Sequence, residues 1–117
     1  MSMQAGRAAR QAAAIIKQHG WNQGGWVGTP IVPTGEPNPV CIRAAFNLAT
    51  YGIVAMSPSP EEQKFTRWMA KLGLLPEDGN EDLNLADWND DEGRTKDEIL
   101  AYLNKFAEEH DPQPVLP

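Results

Sequence analysis

The chain has 117 residues, 41% of them hydrophobic and 22% charged. That size and balance suit one globular domain that buries a core without disulfide or metal staples. A formal net charge of −6 argues against a surface that condenses on nucleic acid or anionic lipid, since both need Lys and Arg, and favours a basic partner.

Met3 to His19 predicts a helix, because Ala5, Ala8, Ala9, Ala12, Ile15, Ile16 and His19 recur at steps of three and four. The face is mostly alanine, so another helix can come close. Gly20 supplies a left-handed stop, and His19 sits where the helix dipole favours a cation. The apolar stretch Ala12 to Ile16 is too short for the core of a secretion signal, and Lys17 ends it. No apolar run approaches the ~20 residues that span a bilayer.

Trp21 to Pro37 predicts a long non-helical excursion, with Gly24, Gly25, Gly28 and Gly35 among Pro30, Pro33 and Pro37. Trp26-Val27 and Ile31-Val32 suit a short two-stranded ribbon that the prolines confine to an edge. A loop of this length in a small domain often carries function.

Asn38-Pro39 reads as a helix start, Asn as the N-cap and Pro at the first helical position. This helix is expected to reach about Tyr51 and stop at Gly52. Arg43, Asn47 and Thr50 fall on one outer polar stripe. Val40, Cys41, Ala44, Ala45, Leu48 and Ala49 fill the rest, which predicts a central helix. As the one cysteine, Cys41 cannot close an internal disulfide, which fits a reducing, cytoplasmic setting.

Ser59-Pro60-Glu61-Glu62 reads as a capping box, with Ser59 as cap and Glu62 reaching back. Its helix continues to Leu72 and ends at Gly73. Phe65, Trp68, Met69 and Leu72 face the core, and Lys64, Arg67 and Lys71 line the opposite, solvated side. Pro76 to Asn80 is a turn, and Asn80 caps a short helix from Glu81 to about Trp88, with Leu83, Leu85 and Ala86 packing. Thr95-Lys96-Asp97-Glu98 is a second capping box. It opens a last helix to about Glu109, with Ile99, Leu100, Leu103, Phe106 and Ala107 inward. Three prolines keep Asp111 to Pro117 out of a helix. The expected fold is all-α: a compact bundle of four to five short helices in one domain over residues 1–110, followed by an extended tail over 111–117.

Three clusters then stand in order: Gly20-Trp21-Asn22-Gln23-Gly24, Cys41-Ile42-Arg43-Ala44-Ala45, and Trp88-Asn89-Asp90 with Gly93-Arg94-Thr95. Together the chain resembles a family of small uncharacterised proteins of actinobacteria and their phages. That family's pattern is G-W-x-Q-G, C-x-x-G-A and W-N-D-x-x-G-R-T, and the likeness covers about residues 8–108. Ala44 replaces the family's glycine in the middle motif, which implies slightly looser helix packing. Asp91 and Glu92 are more acidic than the family's usual filler. The resemblance implies fold and source and carries no activity.

The acidic run from Asp87 to Glu98 invites comparison with a calcium loop. Asp87, Asn89, Asp91 and Glu98 fall at ligand positions 1, 3, 5 and 12, with the Gly93 carbonyl at 7. Glu92 stands where the sharp turn needs glycine, and Arg94 where an apolar residue belongs. Helix caps around a polar turn explain the same residues, with Arg94 pairing a carboxylate of the run. In the Gly-rich loop, Trp21 and Trp26 beside Asn22 and Gln23 resemble a surface that packs a flat ring and orients it with amides. The alternative is that both indoles lid the core. Asn89, Asp90, Asp91 and Arg94 are the recognition candidates of the acidic run. Cys41 in a first helical turn can be activated, but a nucleophile needs a base, and only His19 and His110 are present. Burial suits this thiol better, and His110 is expected in a frayed tail. No phosphate loop, C-x-x-C pair, H-E-x-x-H or G-x-S-x-G motif occurs. The expected function is a small non-enzymatic protein that binds another protein, without cofactor, nucleic acid or membrane. The alternative is a ligand- or cation-binding module.

Overall fold

The alanine face of the first helix sets the packing. The computed structural model describes residues 4–28 and 38–111. Five helices follow in chain order: α1 (Ala5–His19), α2 (Ile42–Tyr51), α3 (Pro60–Lys71), α4 (Glu81–Asn89) and α5 (Lys96–His110). Among the described residues no strand forms, so the all-α expectation holds. α1 lies against α5, α2 and α3 at once. Ala8, Ala9 and Ala12 are fully buried, and Ile16 closes the same face. Side chains this small let three helices approach one axis closely.

Gly6 permits the tightest of these contacts. A Cβ built there would stand 2.5 Å from the Asp111 amide nitrogen and 2.5 Å from the His110 carbonyl carbon. Both are backbone atoms and cannot swing aside. Arg10 Nε donates to Asp111 Oδ2 at 3.2 Å and ties the same end of α5 to α1. The periodic pattern missed Gly6, although a glycine inside an alanine-rich first turn is itself a sign of close approach.

The aromatic centre comes from α2, α3 and α5. The Phe65 ring lies 5.3 Å from Phe46 and 5.3 Å, edge-on, from Phe106. Trp68 meets Phe106 edge-on at 5.3 Å. Offset and edge geometries of this kind add stability beyond the buried area.

Several expected boundaries and faces are corrected. α2 starts at Ile42, and its cap is Cys41, not Asn38. Pro39 and Val40 are held extended instead: Pro39 O accepts from Gly28 N, and Val40 bridges both Trp21 and Val27. The ribbon expected between Trp26-Val27 and Ile31-Val32 has its second half outside the described residues. The tail from Pro112 onward lies outside them too. Gly52 ends α2 at φ 77° as expected. Arg43 and Asn47 do not face solvent; Asn47 is fully buried and Arg43 is 8% exposed. Every residue from Ile42 to Asn47 is buried, which bears out the central position.

Ser59 does cap α3, accepting from Glu62 N at 3.1 Å. The Glu62 carboxylate, however, turns into the interior to meet Arg43 Nε at 3.2 Å. Leu72 and Leu83 are exposed, against the expectation that both pack. Leu72 is the C-cap of α3, at the end of the helix. The Asn80 side chain makes no cap bond. Asp78 Oδ1 instead fixes the turn before the helix, accepting from Asn80 N and from Asn84 Nδ2. α5 keeps its full capping box: Thr95 Oγ1 accepts from Glu98 N, and Glu98 Oε1 accepts from Thr95 N.

Gly6→Ala tests the packing of α1 on α5. Helix propensity alone favours alanine by about 0.5–1 kcal/mol. Steric overlap with the α5 backbone instead predicts a loss of about 1–3 kcal/mol in urea unfolding. An unchanged or raised midpoint would mean that the two helices do not touch there.

Candidate functional site

The three sequence clusters meet at one buried side chain, Asn89, the last residue of α4. It is 1% exposed. Its Oδ1 accepts from Trp21 Nε1 at 2.8 Å and from Ile42 N at 3.0 Å. Its Nδ2 donates to Asn22 O at 3.0 Å and to Asp90 Oδ1 at 2.9 Å. One amide therefore joins the Gly-rich loop, the first turn of α2 and the end of α4.

Helix ends explain why polar residues gather here. An α-helix leaves its first N–H groups and last C=O groups without internal partners. At the start of α2, Asn89 Oδ1 serves Ile42 N, and Cys41 Sγ serves Ala44 N at 3.3 Å. At the end of α4, Arg94 Nε donates to Trp88 O at 3.0 Å. Gln23 Nε2 donates to Asn89 O and to Asp91 O, both at 3.1 Å. Gly24, at φ 85°, aims its N–H at Asp90 Oδ1, 2.9 Å away. Asn22 Nδ2 closes the loop on Gly25 O at 2.8 Å.

Two arginines lie over indoles on either side of this junction. Arg43 is 4.3 Å from the Trp26 ring centroid and pairs with Glu62 behind it. The Glu62 carboxylate offsets the charge that α2 carries inside. Arg94 is 4.2 Å from the Trp88 ring centroid. It bonds Glu98 Oε2 at 2.9 Å and reaches Asp91 Oδ2 at 3.4 Å. Trp88 is 5% exposed and meets Tyr102 edge-on at 5.6 Å.

Of the expected binding residues, then, Trp21, Asn22, Gln23 and Asn89 use their polar atoms within the protein. Trp26 is half-buried beneath Arg43, and Asp90 and Asp91 are exposed. Beside them a cleft of about 170 Å³ opens between Gly24, Gly25, Trp26, Cys41, Arg43 and Asp90. Drug-sized ligands occupy roughly 300–1,000 Å³, so the cleft has room only for something smaller.

The four residues of the calcium alternative diverge. Asn89 is engaged as above, Asp91 faces Arg94, Asp87 is exposed, and Glu98 serves both Thr95 and Arg94. Among the described residues no three His, Cys, Asp or Glu side chains gather closely enough to hold a metal ion.

Cys41 is 7% exposed, and burial pushes its thiol above the ordinary value of 9.0, against the opposing pull of the Ala44 and Arg43 amides. His19 Nδ1 lies 3.2 Å from Asn38 O, and His110 Nδ1 lies 2.9 Å from Phe106 O. His110 is not in a frayed tail: it is the last residue of α5, and its ring stacks on Phe106 at 4.1 Å. Sequence reasoning missed the Asn89 junction and the caps from Gln23 and Arg94. The one available signal was that amide and arginine residues flank the predicted helix ends.

A thiol whose value is raised in the fold favours the protonated, folded state. Its contribution is intact below pH 9.0 and is lost as pH rises through the higher folded value. Wild type should therefore lose more stability than Cys41→Ala between pH 8 and pH 10, read as urea midpoints. Native protein should label slowly with a thiol reagent at pH ~7.5. Parallel alkaline losses, or rapid labelling, would contradict a buried capping role.

No curated protein and no solved structure matches the chain. A family model described as a family of unknown function, DUF6197, matches residues 2–109, and the chain belongs to that family.

Proposed function

We propose that this chain is a small, non-enzymatic protein-interaction module, encoded by an actinobacterium or one of its phages. The observation that carries the reading is the turn between α2 and α3. Within six residues it exposes Tyr51 by 45%, Ile53 by 65% and Met56 by 66%. Large apolar side chains clustered on a surface mark contact sites more often than singly scattered ones do.

The turn is also held in place. Buried Asn47 donates through Nδ2 to Ser57 O at 2.9 Å, and Tyr51 Oη donates to Pro58 O at 3.2 Å. Met56 sits at φ 56°, a left-handed conformation that costs a non-glycine residue about 1–2 kcal/mol. Strain of this kind persists where surrounding bonds over-determine the backbone, and it clusters at functional sites. A pinned turn presents Ile53 and Met56 without the ordering cost that a loose loop incurs on binding. Methionine adds an adaptable, polarisable contact. The groups with chemical potential near Asn89, Cys41 among them, are committed to capping, which further supports a non-catalytic role. A net charge of −6 suits a partner with a basic rim.

Affinity capture from a lysate of the source organism tests this, with wild type beside Ile53→Glu/Met56→Glu. The variant should retain its melting temperature within a few degrees, because both side chains are exposed. It should lose about 90% or more of any specific partner. Capture of the same proteins in the same amounts by both forms would refute the assignment of this surface.

A further inference from the structure

We propose that the outer face of α3 is a groove that binds an acidic peptide segment carrying aromatic or large apolar side chains. The cations on this face are uncommitted. Arg10, Arg43 and Arg94 each pair with carboxylates of their own chain. Lys64, Arg67 and Lys71 make no ion pair with any described residue, and all three are exposed. Their i, i+3, i+7 spacing puts them on one side of α3.

This charge borders aromatic surface. Lys64, Arg67 and Lys71 line a depression of about 260 Å³ together with Trp68, Phe106 and His110. Half-buried Trp68 lines the depression beside the cations, its ring held edge-on by Phe106 at 5.3 Å and by His110 at 6.3 Å. The Trp68 indole N–H donates to Glu109 Oε1 at 3.3 Å, which fixes the ring and leaves one carboxylate at the rim. A second depression of about 250 Å³ adjoins the first, shares Arg67 and Lys71, and continues past Ala70 to Pro76 and Gly79, with Glu77 on its edge.

Two shallow depressions joined across two cations fit an extended chain better than a compact molecule. Carboxylates of such a chain would meet Arg67 and Lys71, and a ring or branched side chain would settle on Trp68. A nucleic acid fits less well: the chain as a whole carries −6, which opposes a polyanion over any length greater than this face. The inference rests on the reading of this chain as an interaction protein and adds the chemistry of a second contact.

The test is fluorescence anisotropy of the full chain with a labelled peptide of alternating Glu and Phe. Poly-Glu of equal length, a peptide with Lys in place of Glu, and an oligothymidylate serve as comparisons. Binding of the Glu/Phe peptide should fall about tenfold or more in Arg67→Glu/Lys71→Glu and in the milder Arg67→Gln/Lys71→Gln. Lys17→Glu/Lys96→Glu, with the same change of charge as the first variant, should leave it within about twofold. Absence of binding, equal weakening by both charge-reversal variants, poly-Glu binding as tightly, or tighter binding of the oligothymidylate would each overturn the proposal. Ile53 and Met56 line neither depression, so loss of the groove leaves partner capture through the α2–α3 turn standing as a separate result.

Discussion

A single buried amide joins three parts of this fold at one point. Asparagine offers two donors and an acceptor oxygen with two lone pairs, and Asn89 uses all of them. Its partners come from three separate stretches of chain. The described loop residues Trp21 to Gly28 hold only isolated bridges, α2 begins with N–H groups that need partners, and α4 ends beside both. Burying these unpaired polar groups would cost about 1–3 kcal/mol each. Asn89 removes that cost at several points together, so the loop, the α2 start and the α4 end form as one unit.

The arginines extend the same logic outward. Arg43 crosses from α2 to the loop through Trp26 and to α3 through Glu62. Arg94 ties the end of α4 to the first turn of α5 through Trp88, Asp91 and Glu98. Each guanidinium stacks on an indole while its N–H groups meet oxygen, a geometry that lysine cannot reproduce. Trp21, Asn22, Gln23, Asn89 and Arg94, which first suggest a binding surface, thus spend polar atoms on the scaffold. The exposed apolar side chains of the α2–α3 turn and the exposed cations of α3 lie outside this junction.

Much of this was legible in the residues. Helical periodicity together with cap and turn signals located the five helices of the described residues. The Gly52 stop and the capping residues Ser59 and Thr95 are local chemistry, readable within four residues, and each stands where expected. Two of the errors share one cause. Polarity alone places the stripe Arg43, Asn47 and Thr50 toward solvent. Its buried members face Glu62 and Ser57 O, and those partners are set by tertiary packing. Asn38-Pro39 carries a valid local start signal, overridden because Gly28 N and the Trp21 and Val27 bridges keep Pro39 and Val40 extended. In the candidate site, the paired tryptophans and the acidic run were visible, while their convergence was not. Trp21 and Asn89 are 68 positions apart, and no pattern along the chain reports a contact over that distance.

Hydrogen exchange in Asn89→Ala measures the central claim most directly. If one amide couples the three segments, the Ile42 and Gly24 amides and the Trp21 indole N–H should all exchange about thirtyfold faster or more than in wild type, and by similar factors. Acceleration confined to one of these groups, or none at all, would mean that the loop, α2 and α4 are held in place independently of Asn89.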